Sequence, residues 1–167
     1  MTLTIRTAFI PILLSVTLVH GAAAGEVVAV VSAKSHIGPL SKSQVADIFL
    51  GRVNRFPDGG IAIPIDQREG SDARNLFYED YAGKSPAQIK AFWSKIVFTG
   101  RGQPPKSVAN EGELKKLIAA NPAAIGYIDA AQVDATVRVV PCRAAGAKVS
   151  DVLELAPAPP PGSAMSQ

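Results

Sequence analysis

The sequence predicts a single α/β domain, with helices packed on the faces of a mixed sheet of about four to five strands. Two observations support this fold class. Short runs of β-branched residues alternate along the chain with amphipathic segments of helical period, which is the order typical of α/β proteins. The length of 167 residues is sufficient for one hydrophobic core and too small for two ordinary domains.

Residues 1–24 have the features of a cleavable secretory signal. Arg6 is the charged side chain of this segment, residues 8–19 are apolar apart from a serine and a threonine, and alanines occupy positions 22–24. Signal peptidase accepts such small residues, so we expect cleavage before Gly25 and export of the chain. An uncleaved membrane anchor is the open alternative, although the apolar run is shorter than the roughly 20 residues of a spanning helix. We expect no membrane span after cleavage, because no second apolar run of that length follows.

The charge balance does not favour nucleic-acid binding. Without Arg6, 16 of the 17 basic side chains remain against 14 acidic ones. No basic stripe with interleaved aromatic residues is present, so we expect no nucleic-acid partner. Cys142 is the single cysteine, which excludes an intramolecular disulfide. Its role is open, and a buried or tolerated thiol is favoured over a nucleophile because His36 has no catalytic context.

The titratable residues predict neither a metal site nor an enzyme. The expected mature chain has one histidine and one cysteine, His36 and Cys142, and it contains no HxxxH or CxxC spacing. We therefore expect no metal and no cofactor. Carboxylates such as Asp66 and Asp129 show no spacing that indicates general acid and base catalysis, so no catalytic residue is expected.

The first predicted elements are a strand over 26–32 and a short helix that begins after Ser41. The strand sequence EVVAVVS is a β-branched run bounded by polar residues, which is typical of a buried strand. Ser41 and Gln44 have the spacing of a capping box, and Gly51 stands where a glycine ends a helix. The apolar face of this helix carries Val45, Ile48 and Phe49.

A second strand is predicted over 61–66, and two helices follow it. Pro64 has no N–H for a ladder, so this strand lies at a sheet edge or begins its pairing on one side only. Ser71 caps a helix that closes at Gly83, and Ser85 opens the next helix within a capping box. The aromatic residues of these helices are expected in the core rather than in a cofactor site: Phe77, Tyr81, Phe92 and Trp93.

The sequence from residue 98 onward predicts a loop, one further helix, two further strands and a tail. Residues 98–106 are rich in Gly and Pro, and a surface connection is favoured over an anion cradle because the GK[ST] ending of a P-loop is missing. The remaining elements are a helix over 111–120 and strands over 124–129 and 136–140. The domain is expected over 25–142, and the Ala- and Pro-rich residues 143–167 predict a flexible tail.

Three segments stand out as motifs: VADIFLGR at 45–52, the loop 67–71 that leads into Phe77, and NPAAIGYI at 121–128. Together they resemble the phosphate-binding proteins of ABC transporters, in the type II periplasmic binding protein superfamily, and in particular their short single-domain relatives. The resemblance runs from about residue 27 to residue 140. It implies a single lobe of the periplasmic-binding-protein type, a location in the periplasm of a Gram-negative cell, and a small anion such as phosphate as ligand.

The resemblance implies a ligand site at the loop that enters the helix capped by Ser71. The family loop has an Arg, a Gly three residues later and then Ser-Gly-Thr at a helix N-terminus, where free N–H groups favour an anion. Gly70 and Ser71 match, but Gln67 stands at the position of the Arg, and Asp72 with Ala73 replaces Gly-Thr. The ligand-binding residues that the resemblance implies are Gln67, Arg68, Gly70, Ser71 and Arg74. The carboxylate of Asp72 is expected to repel phosphate.

Two functions stay open, because the chain has no counterpart of the earlier family loops that supply the other half of the phosphate cage. One is an exported solute-binding protein of the phosphate type with weak or divergent ligand binding, which delivers a solute to a transporter or sensor. The other is a periplasmic interaction module that has lost its ligand and docks onto an envelope partner or a second copy of itself. We expect at most weak anion binding by the monomer unless another chain completes the site.

Overall fold

The computed structural model describes residues 25–143, so the predicted signal and nearly all of the predicted tail lie outside the described residues. Within this range the chain forms a five-stranded sheet, a separate pair of short strands, and helices between them. The elements in chain order are β1 (Val27–Ser32), β2 (Leu40–Ser41), α1 (Lys42–Phe49), β3 (Ile63–Gln67), α2 (Asp72–Ala82), α3 (Pro86–Phe98), β4 (Lys106–Val108), α4 (Glu111–Ala120), β5 (Ala124–Asp129), β6 (Val137–Val139) and β7 (Cys142–Arg143).

The main sheet is mixed, and its strand order is β4-β3-β5-β1-β6. β3 runs parallel to β4 and β5, whereas β1 runs antiparallel to β5 and β6. Helices cover both faces, as alternate residues of β1 show. Ala29 and Val31 pack in the cluster that includes α1, α2 and α3, whereas Val30 packs with Leu114 and Ile118 of α4. The predicted α/β class with a mixed sheet is therefore confirmed.

The position of β3 decides between the two alternatives that Pro64 predicts, an edge strand or a strand that begins its pairing on one side only. The strand is interior rather than at an edge, so the edge alternative is wrong. Pro64 pairs with Ile125 of β5, and pairing with β4 begins one residue later, at Ile65 and Lys106. The missing N–H of the proline is thus accommodated where β3 pairs on one side only.

The predicted loop over 98–106 is too long at both ends. α3 continues through Phe98, and Lys106 begins the edge strand β4. The sequence of β4, Lys-Ser-Val, has no alternation of its own that indicates a strand. It becomes one because the parallel partner β3 is already present, and Arg68 N donates to Val108 O at 3.0 Å beyond the paired residues.

The helix boundaries follow the predicted caps. Both predicted capping boxes, at Ser41 and at Ser85, are present, and Ser71 caps α2. Gly51 and Gly83 have φ values of 66° and 60°, in the left-handed region that glycine adopts without strain. Among residues 25–143 no helix combines the length and the apolar character needed to cross a bilayer.

Aromatic residues dominate the core on the α1–α3 side of the sheet, as the sequence predicts. The rings of Phe77 and Tyr127 stack with centroids 3.9 Å apart, and Phe49 meets Phe77 edge-on at 4.7 Å. Trp93 of α3 is 7% exposed, and Ile89 one turn earlier is fully buried. The aromatic contacts join α1 and α2 to the middle of the sheet, and α3 packs against α2.

We predict that Gly126→Ala destabilises the protein, because β5 and α4 approach closely at this position. A Cβ on Gly126 would lie 2.5 Å from Ile118 Cδ1 and 2.9 Å from Leu114 Cδ2, and both of these side chains are fully buried. Overpacking of this kind costs about 1–3 kcal/mol in the free energy of unfolding, which urea denaturation measures. Gly38→Ala is the matched control, since no atom lies within 4 Å of its Cβ position. Equal midpoints for the two variants would contradict close packing at Gly126.

Candidate functional site

The parallel strands β3, β4 and β5 end at one edge of the sheet, at Gln67, Val108 and Asp129. In open α/β sheets ligands bind outside the carboxyl ends of parallel strands. The loops after β3 and β4 lead directly into α2 and α4, so helix N-termini with free N–H groups also lie here. We call this region the carboxyl edge, and it contains the loop with all five predicted ligand residues.

Asp66, at the end of β3, is a buried carboxylate with donors on both oxygens. Its side chain is 4% exposed. Oδ2 accepts from Arg74 Nε at 3.2 Å and from the Tyr78 hydroxyl at 3.0 Å. Oδ1 accepts from the backbone N–H of Gln67 at 2.8 Å and from the Tyr127 hydroxyl in a short hydrogen bond. Arg74 therefore balances the negative charge of this carboxylate, and both carboxylate oxygens accept hydrogen bonds within the protein.

The spacing along α2 explains how this network assembles. Arg74 and Tyr78 lie one turn apart, so both side chains reach the same face of the helix. The Arg74 guanidinium also lies over the Tyr78 ring, 5.0 Å from its centroid. Burial alone would lower the pKa of Arg74, but the Asp66 charge raises it. Burial, followed by the Asp66 charge, raises the pKa of Tyr78 and Tyr127 well above the ordinary value. Both hydroxyls thus remain protonated donors.

The structure brings the five predicted ligand residues into one loop and helix start, but it gives them different surroundings. Gln67 is 4% exposed, and its Nε2 donates to the Tyr127 carbonyl at 3.1 Å. Ser71 Oγ accepts from Arg74 N at 3.4 Å as the N-cap, and the Arg74 side chain is paired with Asp66. Arg68 and Gly70 lie at the surface. Three of the five side chains are thus engaged in intramolecular contacts.

Carboxylates of the chain itself occupy backbone donors elsewhere at the carboxyl edge. Glu111 Oε1 accepts from Asp129 N at 3.1 Å, and Glu113 Oε2 accepts from Ala109 N at 3.1 Å. Asp129 Oδ1 accepts from Ala131 N at 2.8 Å. An oxyanion that approached these amides would have to displace a carboxylate and would meet its negative charge.

Sequence reasoning missed Asp66 as the centre of this site. It noted the residue only as an isolated carboxylate, because its partners Arg74, Tyr78 and Tyr127 lie 8, 12 and 61 residues further along the chain. The polar pair one turn apart on α2 was the available local signal. Over residues 25–143 no group of three or more His, Cys, Asp or Glu side chains is placed to hold a metal ion.

Comparison with known proteins supports the fold. No family model matches the chain, and no curated protein matches it. A putative phosphate ABC transporter substrate-binding protein with bound phosphate from Clostridium perfringens matches with a TM-score of 0.58 and 20% identity, over 78% of this chain and 50% of that chain. An ABC-type phosphate transport receptor from Vibrio cholerae matches with a TM-score of 0.54 and 18% identity, over 70% and 45%. PstS from Borrelia burgdorferi matches with a TM-score of 0.52 and 12% identity, over 77% and 51%.

These likenesses confirm, at the level of the fold, the resemblance inferred from the motifs. The chain spans about half the length of the solved structures that it matches. Its five-stranded mixed sheet with helices on both faces is the fold of a single lobe of the periplasmic-binding-protein type.

We predict that Asp66→Asn lowers the free energy of unfolding by about 3 kcal/mol, because it leaves the largely buried Arg74 guanidinium without its counter-charge. Chemical denaturation measures this loss. Asp80→Asn is the matched control, since Asp80 pairs with Lys42 at the surface, where both side chains are about half exposed. Removal of such a pair costs less than about 1 kcal/mol. Similar losses for both variants would show that Asp66 is not the buried centre of a network.

Proposed function

We propose that the protein is an exported binding protein of the cell envelope that keeps a substrate-binding fold but binds phosphate and other inorganic oxyanions only weakly. The fold neighbours support a binding role, because their descriptions name phosphate transport and phosphate binding. The predicted signal at residues 1–24 supports export to the periplasm. Binding, rather than catalysis, also agrees with carboxylates that serve as hydrogen-bond acceptors inside the fold.

The low affinity for oxyanions is inferred from the acceptors that already occupy donors at the carboxyl edge. Asp66 balances the charge of Arg74. Glu113 and Glu111 accept from backbone N–H groups at the carboxyl ends of β4 and β5. Phosphate affinity depends on cations and N–H groups that lack another acceptor. Arg68 is the exposed cation that remains at the start of α2, and Asp72 in the first turn offsets its charge. A small anion such as phosphate therefore finds few free donors.

We predict that phosphate raises the thermal midpoint only at high millimolar concentration. At a ligand concentration equal to Kd the native state gains about 0.4 kcal/mol, which is about 2 °C for a domain of this size. We expect less than about 1 °C at 1 mM phosphate, measured against chloride of equal ionic strength. Arg68→Ala removes the residual shift, whereas Arg55→Ala, which deletes an exposed cation outside the predicted ligand loop, preserves it. A shift of several degrees at micromolar phosphate would reject the proposal.

A second candidate function is an interaction module, which two exposed apolar side chains favour. Ile63 begins β3 and Ile61 lies two residues before it, and their side chains are 39% and 58% exposed. Because they are two residues apart in extended chain, they share one face. Exposed apolar neighbours of this kind are typical of a surface that contacts an envelope partner or a second copy.

We predict for this candidate that the molar mass in sedimentation equilibrium rises with protein concentration. Ile61→Lys places a charge on the shared face and should restore the mass of a monomer. Lys116→Ala is the control, because it changes an exposed charged residue of α4 and removes no side chain from the cavity that Ile61 lines. A constant monomer mass at every concentration would contradict self-association.

A further inference from the structure

A groove of about 470 Å³ lies beside the carboxyl edge, along the second half of α3. Trp93, Val97 and Phe98 form its apolar part together with Pro104. Its charged lining consists of two cations, Arg74 and Lys90, and one carboxylate, Glu69. We call it the α3 groove. Its volume is within the range of small-molecule sites, about 300–1,000 Å³, which are mostly apolar with a few placed polar groups.

The apolar part of the α3 groove is unusually accessible. Phe98 is 93% exposed and Val97 is 52% exposed, although both are large apolar side chains in a regular helix. Trp93 is nearly buried, and its indole N–H has no hydrogen-bond partner among residues 25–143. Contact with an apolar molecule would remove the Phe98 and Val97 surfaces from water, a gain of about 25 cal/mol for each Å² buried.

One of the two cations of the groove, Arg74, belongs to the Asp66 network, and the other, Lys90, does not. Among residues 25–143, the Arg74 guanidinium donates to a protein acceptor through Nε and not through its two terminal nitrogens. These two nitrogens are therefore available to a ligand. Lys90 pairs with Glu69 at 3.1 Å, but these side chains are 70% and 64% exposed. Such a surface pair opens at little cost. Lys90 can therefore turn towards a negative ligand group.

We propose that the α3 groove binds a small organic carboxylate with an aromatic or branched aliphatic body. The carboxylate meets Arg74, and the apolar body lies across Phe98, Val97 and the edge of Trp93. Charge and shape select this class: a neutral apolar molecule leaves the guanidinium nitrogens unpaired, and free phosphate leaves the apolar surface exposed. The inference rests on the proposed function as a binding protein and names its class of ligand.

Ligand binding in the groove can be followed by tryptophan fluorescence, because Trp93 is the one tryptophan of the chain. The purified protein is titrated with phenylbutyrate, with the neutral phenylbutanamide and with inorganic phosphate while its fluorescence is followed. We expect a saturable change with phenylbutyrate, affinity at least about tenfold weaker for the amide, and no change with phosphate. Phe98→Ala should weaken phenylbutyrate binding about fivefold or more.

The control variant is Ile61→Ala, which trims an exposed apolar side chain outside the groove and should leave the affinity unchanged. Absence of a saturable change overturns the inference, as does equal affinity for the acid and the amide. Unchanged binding by Phe98→Ala overturns it too, and this exposed position does not endanger folding. The phosphate thermal shift tests the proposed function separately, so failure of the phenylbutyrate titration rejects the groove ligand alone.

Discussion

The buried carboxylate of Asp66 determines how β3, α2 and β5 meet, since a charge in the core is tolerated only where donors surround it. Arg74 and Tyr78 approach from α2, and Tyr127 approaches from β5. A shift of β5 by one residue would turn Tyr127 to the other face of the sheet. It would also break the stacking of its ring on Phe77. The network therefore specifies strand register and helix rotation together.

The same network changes what the carboxyl edge can do chemically. In an anion site at a helix N-terminus, guanidinium and N–H donors point outward and are free to bind a ligand. Here Asp66 draws Arg74 inward from one side, and Glu111 and Glu113 occupy backbone donors on the other. The hydrogen-bond donors that would recognise phosphate are the ones that stabilise the fold. Arg74 connects the two environments, because its Nε donates to buried Asp66 while the residue also lines the α3 groove.

Features that depend on short spacings could be predicted from the sequence, and features that depend on distant partners could not. The capping boxes at Ser41 and Ser85 are contacts between residues three apart, so their pattern is visible in the chain itself. Lys106–Val108 has no pattern of its own and becomes β4 only through pairing with β3. The role of Asp66 depends on Tyr127, whose position beside it is known only once β3 and β5 are adjacent.

The small parallel pair of β2 and β7 has a consequence for local stability. Leu40 N donates to Pro141 O at 3.0 Å, and Ser41 belongs to β2 while also capping α1. The last described residues thus hold the start of a helix that lies about a hundred residues earlier in the chain. If β7 detaches, the strand that positions the Ser41 cap is released with it, and the first turn of α1 frays. We therefore expect the two segments to open together and their amide protons to exchange with solvent through the same event.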